Sequence, residues 1–218
     1  MCLILLAWRA QPGHELVVAA NRDEFHGRPA APAAFWADKP GILAGRDLEA
    51  KGTWMGVARD GRFAAVTNYR GATEPRAAES RGALATGFLE RKFKPSAYVK
   101  NLDPTRYSGF NLLVADHEEL WWMSNRDGAP RRLEPGYYGL GNLLLDSPEV
   151  EADKARFRSG PVALEPLFSV LAGARVVNPH YGTRCSTILL RARDGRIRYA
   201  ERSFAADGSD LETLQFEF

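Results

Sequence analysis

Residues 19–29 read AANRDEFHGRP, and the fold turns on how this stretch is understood. Immediately before it, Leu16 to Ala20 (LVVAA) is apolar without a break, and then Asn21-Arg22-Asp23-Glu24 puts a polar run at its end. Taken alone, such a run is the solvated terminus of a buried strand, closed by a salt bridge. The strand has an evident neighbour. Cys2 to Trp8 is another continuous apolar run, and Gln11-Pro12-Gly13-His14 between the two reads as a turn. Residues 2–20 therefore read as a hairpin. Apolar residues at both odd and even positions imply burial on both faces, as in a sheet lying between other layers.

The first residue of that hairpin supports two readings. Cys2 directly follows Met1. As a small apolar group it would pack at the edge of a strand. With Met1 removed, the same residue would carry both a thiol nucleophile and an α-amine base.

Bulk properties narrow the classes. The 218 residues suit a single domain spanning 1–218, with 45% hydrophobic and 26% charged residues as in ordinary globular proteins. A net charge of +2 with scattered arginines gives no basic block, so nucleic acid is not an expected partner. The expected partner is a small-molecule ligand or substrate; oligomeric state is not legible. MCLILLAW has no basic leader and is too short for a signal peptide, and no apolar run approaches the ~20 residues of a membrane span. Two cysteines, Cys2 and Cys185, form neither a disulfide framework nor a zinc pattern, which favours a reducing compartment and a cytoplasmic location.

Further hairpins follow from turn signals. Thr53–Arg59 and Arg62–Tyr69 flank Asp60-Gly61, and Cys185–Arg193 and Ile197–Phe204 flank Asp194-Gly195. Phe110–Ala115 and Leu120–Ser124 form another pair. Asn21 to Pro40, polar and rich in Pro and Ala, reads as an ordered loop. Helices fall in two clusters: one from an N-cap at Ser80, a short one over 96–102, one from Ser147-Pro148-Glu149 to about Arg158, and one over Pro161–Leu171. Pro166 blurs the start of the last. Hairpins with clustered helices indicate an α+β layered protein rather than a doubly wound one.

The polar run also belongs to an ordered set. With Met1-Cys2, Gly52-Thr53-Trp54, Thr67-Asn68-Tyr69-Arg70, Ser80-Arg81-Gly82, Gly141-Asn142 and Thr183-Arg184-Cys185-Ser186-Thr187, it resembles the NRDE family, the transport-and-Golgi-organisation group, along the whole chain. That family is similar to the N-terminal nucleophile hydrolases, especially the penicillin V acylase and conjugated bile acid hydrolase group. The resemblance implies a four-layer αββα sandwich whose first strand presents its N-terminal residue in a cleft.

It also implies a candidate catalytic set. Cys2 would be the nucleophile, its α-amine (ordinarily near pH 8, ~7.7–8.0) the proton carrier, and Asp23 the carboxylate holding that amine. Arg22 would stabilise the thiolate or a substrate carboxylate. Asn68 and Asn142 match positions of oxyanion and substrate donors, and Arg184 matches a late arginine. Read as plain sequence, the asparagines are equally turn residues, Arg184 a surface charge and Cys185 a core thiol. In the acylases the arginine and aspartate stand a few residues apart, whereas Arg22 and Asp23 are adjacent and would face opposite sides of a regular strand. Asn21 and Asp23 would then share one face, with Arg22 and Glu24 behind. His14, His26, His117 and His180 lack metal-ligand spacing. Two functions follow: a cysteine hydrolase of a non-peptide C–N or thioester bond, which needs no cofactor, or a carrier or chaperone holding haem or an acyl-CoA/lipid ligand. Trp8, Trp36, Trp54, Trp121 and Trp122 could line an apolar pocket for the latter.

Overall fold

The computed structural model describes residues 2–71 and 77–218; Met1 and residues 72–76 lie outside the described residues. The chain divides into two compact units, the first comprising Met1–Arg28, Pro135–Gly141 and Leu145–Phe218, the second Pro29–Glu134 and Asn142–Leu144.

The first unit is built on an antiparallel sheet. Its strands are β1 (Leu3–Trp8), β2 (His14–Phe25), β10 (Gly136–Leu140), β11 (Tyr181–Ala192), β12 (Ile197–Phe204) and β13 (Asp210–Glu217), in the order β10-β1-β2-β11-β12-β13. The expected first hairpin is present: Leu3 pairs with Asn21 and Trp8 with Leu16. Every residue of β1 is buried, so neither face of this strand meets water. Leu3, Leu5, Ala7, Val17 and Ala19 pack on helices α3 (Glu151–Ser159) and α4 (Leu164–Ala172) through Phe157, Leu167, Phe168 and Leu171. A leucine or phenylalanine side chain buried in this way contributes about 1.5–3 kcal/mol. Ser147-Pro148 opens a short 3-10 turn that leads into α3. Pro166 sits in the first turn of α4, where its missing N–H costs nothing.

The second unit carries β3 (Ala30–Trp36), β4 (Lys39–Asp47), β5 (Met55–Ala58), β6 (Phe63–Asn68), β7 (Phe110–Ala115), β8 (Leu120–Ser124) and β9 (Arg131–Leu133), paired in sequence order. Helices α1 (Gly82–Glu90) and α2 (Pro95–Lys100) lie against it, with Leu84, Phe88, Leu89 and Val99 on Ile42, Ala44, Val66, Leu112 and Val114. Arg62 closes α1: its guanidinium donates to the carbonyls of Phe88 (2.6 Å), Leu89 (3.0 Å) and Arg91. Those are carbonyls a helix end leaves without internal donors.

The expected loop over Asn21–Pro40 is mostly strand. β2 runs on to Phe25 because Tyr181, Gly182 and Thr183 pair with Phe25, Glu24 and Asp23. β3 lies at the edge of its sheet and slips register between Ala31 and Ala34, which spans Pro32; an edge bulge is where a sheet tolerates a residue without an N–H. Ser80 is not the N-cap of α1. Arg81 occupies that position without a side-chain cap, and Ser80 contributes only its carbonyl, to the Ala83 N–H at 3.0 Å. The Asp-Gly turns form as expected, with Gly61 and Gly195 at φ of 83° and 91°.

Candidate functional site

Cys2 lies just before β1, half-buried, with its thiol against the backbone of Asp23. The Asp23 N–H donates to Sγ at 3.4 Å and the Asp23 carbonyl accepts from it at the same distance. Burial pushes the Cys2 thiol up to about 11, opposed by the hydrogen bond from the Asp23 N–H; the negative charge of Asp23 raises it further, and Arg22 pulls it down. Residues 22 and 23 therefore both act on the sulfur, although they point to opposite faces of β2.

The opposite facing follows from the ladder. Asn21 and Asp23 lie on the helix side. The Asn21 amide donates to the Leu171 carbonyl at the end of α4 (2.9 Å), and its oxygen accepts from Ser186 Oγ (2.6 Å). Asn21 is thus a buried strut between sheet and helix. Asp23 Oδ1 accepts from Thr183 Oγ1 at 2.7 Å, with both residues buried. Arg22 is registered with Cys185 on the other side, and its Nη2 is 3.6 Å from Glu24 Oε2. The arrangement expected for Asn21 with Asp23, and Arg22 with Glu24, is the one observed.

Arg184 is the extra residue of a bulge. Thr183 pairs with Asp23 and Cys185 with Arg22, so Arg184 falls out of the ladder. Its Nη1 faces the carbonyls of Phe25 (3.1 Å), His26 (3.3 Å) and Arg28 (3.2 Å), holding the turn that leaves β2. Cys185 is buried, with its thiol raised well above the ordinary value by desolvation and by Glu201.

Asn68 and Asn142 belong to the second unit. Asn68 ends β6 with its side chain exposed, and its carbonyl accepts from Asn142 Nδ2 at 2.8 Å. Asn142 follows β10, is buried, and accepts the Arg70 N–H on its carbonyl at 2.6 Å. The structure thus joins Cys2, Arg22 and Asp23 locally, and joins Asn68 to Asn142. Three histidine rings meet backbone carbonyls: His14 that of Pro12 (3.2 Å), His26 that of Asn178 (3.0 Å) and His117 that of Asp60 (3.1 Å). Among the described residues no group of three or more His, Cys, Asp or Glu is placed to hold a metal ion. Nor is any helix among them long and apolar enough to cross a membrane.

Sequence reasoning missed Thr183 as a site residue. Its hydroxyl accepts the Val176 N–H at 2.8 Å while donating to Asp23. The one signal was the hydroxyl-rich run TRCST opposite a polar strand end, and a bulge decides which of its residues meets Asp23.

Solved structures share this architecture. An N-acylethanolamine-hydrolyzing acid amidase ortholog from Caenorhabditis elegans matches with a TM-score of 0.56 at 12% identity, over 87% of this chain and 92% of that one. The C2A mutant of a conjugated bile acid hydrolase from Clostridium perfringens matches with a TM-score of 0.56 at 9% identity, over 100% and 97%. The fold is α+β, of the N-terminal nucleophile hydrolase type. At the level of sequence, the family described as Transport and Golgi organisation 2 matches residues 1–160. The homologs of Transport and Golgi organization protein 2 from Bos taurus and Homo sapiens are each 32% identical over 272 residues, covering 100% of this chain and 99% of theirs. Transport and Golgi organization protein 2 of Drosophila melanogaster is 31% identical over 68% of this chain and 60% of its own. This chain belongs to the Transport and Golgi organisation 2 family.

Proposed function

We propose that the protein is a cysteine hydrolase that acts, once Met1 is removed, on a non-peptide C–N or thioester bond of a small molecule. The observation that carries this reading is the Cys2 thiol seated on the Asp23 N–H, at the start of a fully buried strand in an N-terminal nucleophile hydrolase fold. In the processed chain the α-amine of Cys2 takes the thiol proton as sulfur attacks the carbonyl carbon. The tetrahedral intermediate expels the amine or thiol, which leaves with that proton, and an acyl thioester remains on Cys2. Water, deprotonated by the same amine, then releases the acid. Asp23 anchors the amine, and Arg22 favours the thiolate. Asn68 and Asn142 are assigned as oxyanion and substrate donors on the family resemblance alone. Free thiols suit a reducing compartment, and we place the protein in the cytoplasm.

The test is intact mass of untagged protein, followed by a screen of acyl amides, lactones and thioesters with wild type and Cys2→Ala. Loss of the methionine mass, with turnover that falls on the order of 10³-fold or more in Cys2→Ala, supports the reading. Retained Met1, or turnover equal in Cys2→Ala, overturns it.

A second reading, a carrier of haem or of an acyl-CoA/lipid ligand, is favoured by the thiol itself. At about 11 it is protonated at neutral pH and is a poor nucleophile while Met1 is in place. Spectroscopic titration with haem beside acyl-CoA separates those ligands, and Cys2→Ala binding like wild type favours the carrier.

A further inference from the structure

Asp23 is held by a hydroxyl, and a local irregularity of the sheet decides that it is so. β2 and β11 run antiparallel with Ser186 opposite Asn21 and Cys185 opposite Arg22. Carried on without interruption, the ladder would set Arg184 opposite Asp23. The bulge removes Arg184 from the ladder and brings Thr183 there instead. Arg184 spends its guanidinium on the carbonyls of Phe25, His26 and Arg28, and Asp23 receives a neutral donor at 2.7 Å. A guanidinium in that position would grip the carboxylate as an ion pair and compete with any other cation for it. The hydroxyl steadies the carboxylate and leaves its charge uncancelled by Arg184.

The direction of that hydrogen bond is fixed by its neighbours. A backbone N–H can only donate and an ionised carboxylate can only accept. Val176 N–H fills one lone pair of Thr183 Oγ1 at 2.8 Å, so the hydroxyl proton goes to Asp23 Oδ1. The Thr183 N–H in turn donates to the Val176 carbonyl at 2.8 Å, which locks the two backbones together. Thr183 is 3% exposed and Asp23 5%, so both bonds lie away from bulk solvent. The electrostatic effect of Asp23 reaches Cys2, whose sulfur touches the Asp23 backbone.

We propose that Thr183 is a positioning residue: its hydroxyl, oriented by the Val176 N–H, fixes the Asp23 carboxylate as the anchor for the α-amine of a chain beginning at Cys2. The inference rests on the hydrolase reading, since only there does residue 2 bear an amine. Thr183 touches no reacting atom and works through Asp23 alone. Serine retains the function; valine, which keeps the shape and loses the hydroxyl, does not.

The experiment uses full-length chains released from a cleavable N-terminal fusion, so that each begins at Cys2 whatever happens to Met1 in a cell. Wild type, Thr183→Val and Thr183→Ser are alkylated with iodoacetamide across pH 5–10, with modification at residue 2 followed by mass spectrometry and folding by thermal melting. An anchored ammonium beside the thiol favours thiolate, so wild type and Thr183→Ser are expected to share one reactivity midpoint. Thr183→Val is expected to need a higher pH, with a rate at neutral pH lower by roughly 3–10-fold. Coincident profiles for wild type and Thr183→Val overturn the proposal, as does a Thr183→Ser profile that follows Thr183→Val when it melts like wild type. The hydrolase reading is judged separately, on the wild-type profile. A midpoint no lower than an ordinary thiol rejects that reading, while the difference between Val and Ser still decides the role of Thr183.

Discussion

With Met1 in place, the Cys2 sulfur takes up protons up to about pH 11, and an alkylating agent that attacks thiolate reads this directly. The expected outcome for the Met1-bearing protein is a Cys2 alkylation rate that climbs about tenfold per pH unit from 7 to 10 without a plateau, measured by mass spectrometry. A plateau below pH 9 would mean that a charge beyond Arg22 and the chain's N-terminal amine holds the thiolate. The residues around that sulfur were unequally legible. Cys2 stands out by its place behind Met1, and Arg22 and Asp23 through the family resemblance of the polar run that ends β2. Thr183 does not: it meets Asp23 across 160 residues of chain, and the register that brings it there depends on one bulged residue. Spacing along the chain carries no trace of such a slip.

Among the elements, the glycines of the two motifs Gly52-Thr53-Trp54 and Ser80-Arg81-Gly82 have a packing explanation. A methyl group on Gly52 would lie 2.8 Å from the Gly82 carbonyl carbon and 2.9 Å from its oxygen, so backbone meets backbone where α1 begins. Neither side can yield by rotating a side chain. Gly52→Ala is therefore expected to destabilise the protein by about 1–3 kcal/mol in denaturant unfolding. Gly82→Ala, whose methyl would stand 3.2 Å from the Thr53 carbonyl, is expected to cost less. Removing the Arg62 guanidinium with Arg62→Met leaves the carbonyls of Phe88 and Leu89 without that donor, and a loss of about 1–3 kcal/mol is expected by the same measurement. Hairpins with an Asp-Gly turn were legible because the turn demands a residue at positive φ. Strand β3 was not: its Pro and Ala content resembles a loop, and edge position is what makes it tolerable.

At the scale of the molecule, protons couple the site to stability. Cys2, Cys185 and Tyr199 all lose their protons less readily in the folded protein, chiefly because burial penalises the anion. The unfolded chain releases its thiol protons near 9.0, the folded one only near 11 for Cys2. This contribution is complete below about pH 9 and disappears as pH climbs through about 11. The midpoint of thermal unfolding is expected to fall across that interval, and to fall less in Cys2→Ala. Layer class was legible from hairpins and clustered helices, whereas strand order was not, since β2 lies between β1 and a strand that begins at Tyr181.

That strand order also sets a clock. β2 cannot be enclosed until Tyr181–Ala192 has been made, and β1 lacks its outer neighbour until Gly136–Leu140 follows. At roughly 5–20 residues per second, a ribosome needs on the order of ten seconds or more to supply the missing flank. Throughout that interval the pair β1–β2 lacks the strand that completes its inner flank. Completion of this sheet is therefore tied to the late arrival of β11 rather than to the hairpin that begins the chain.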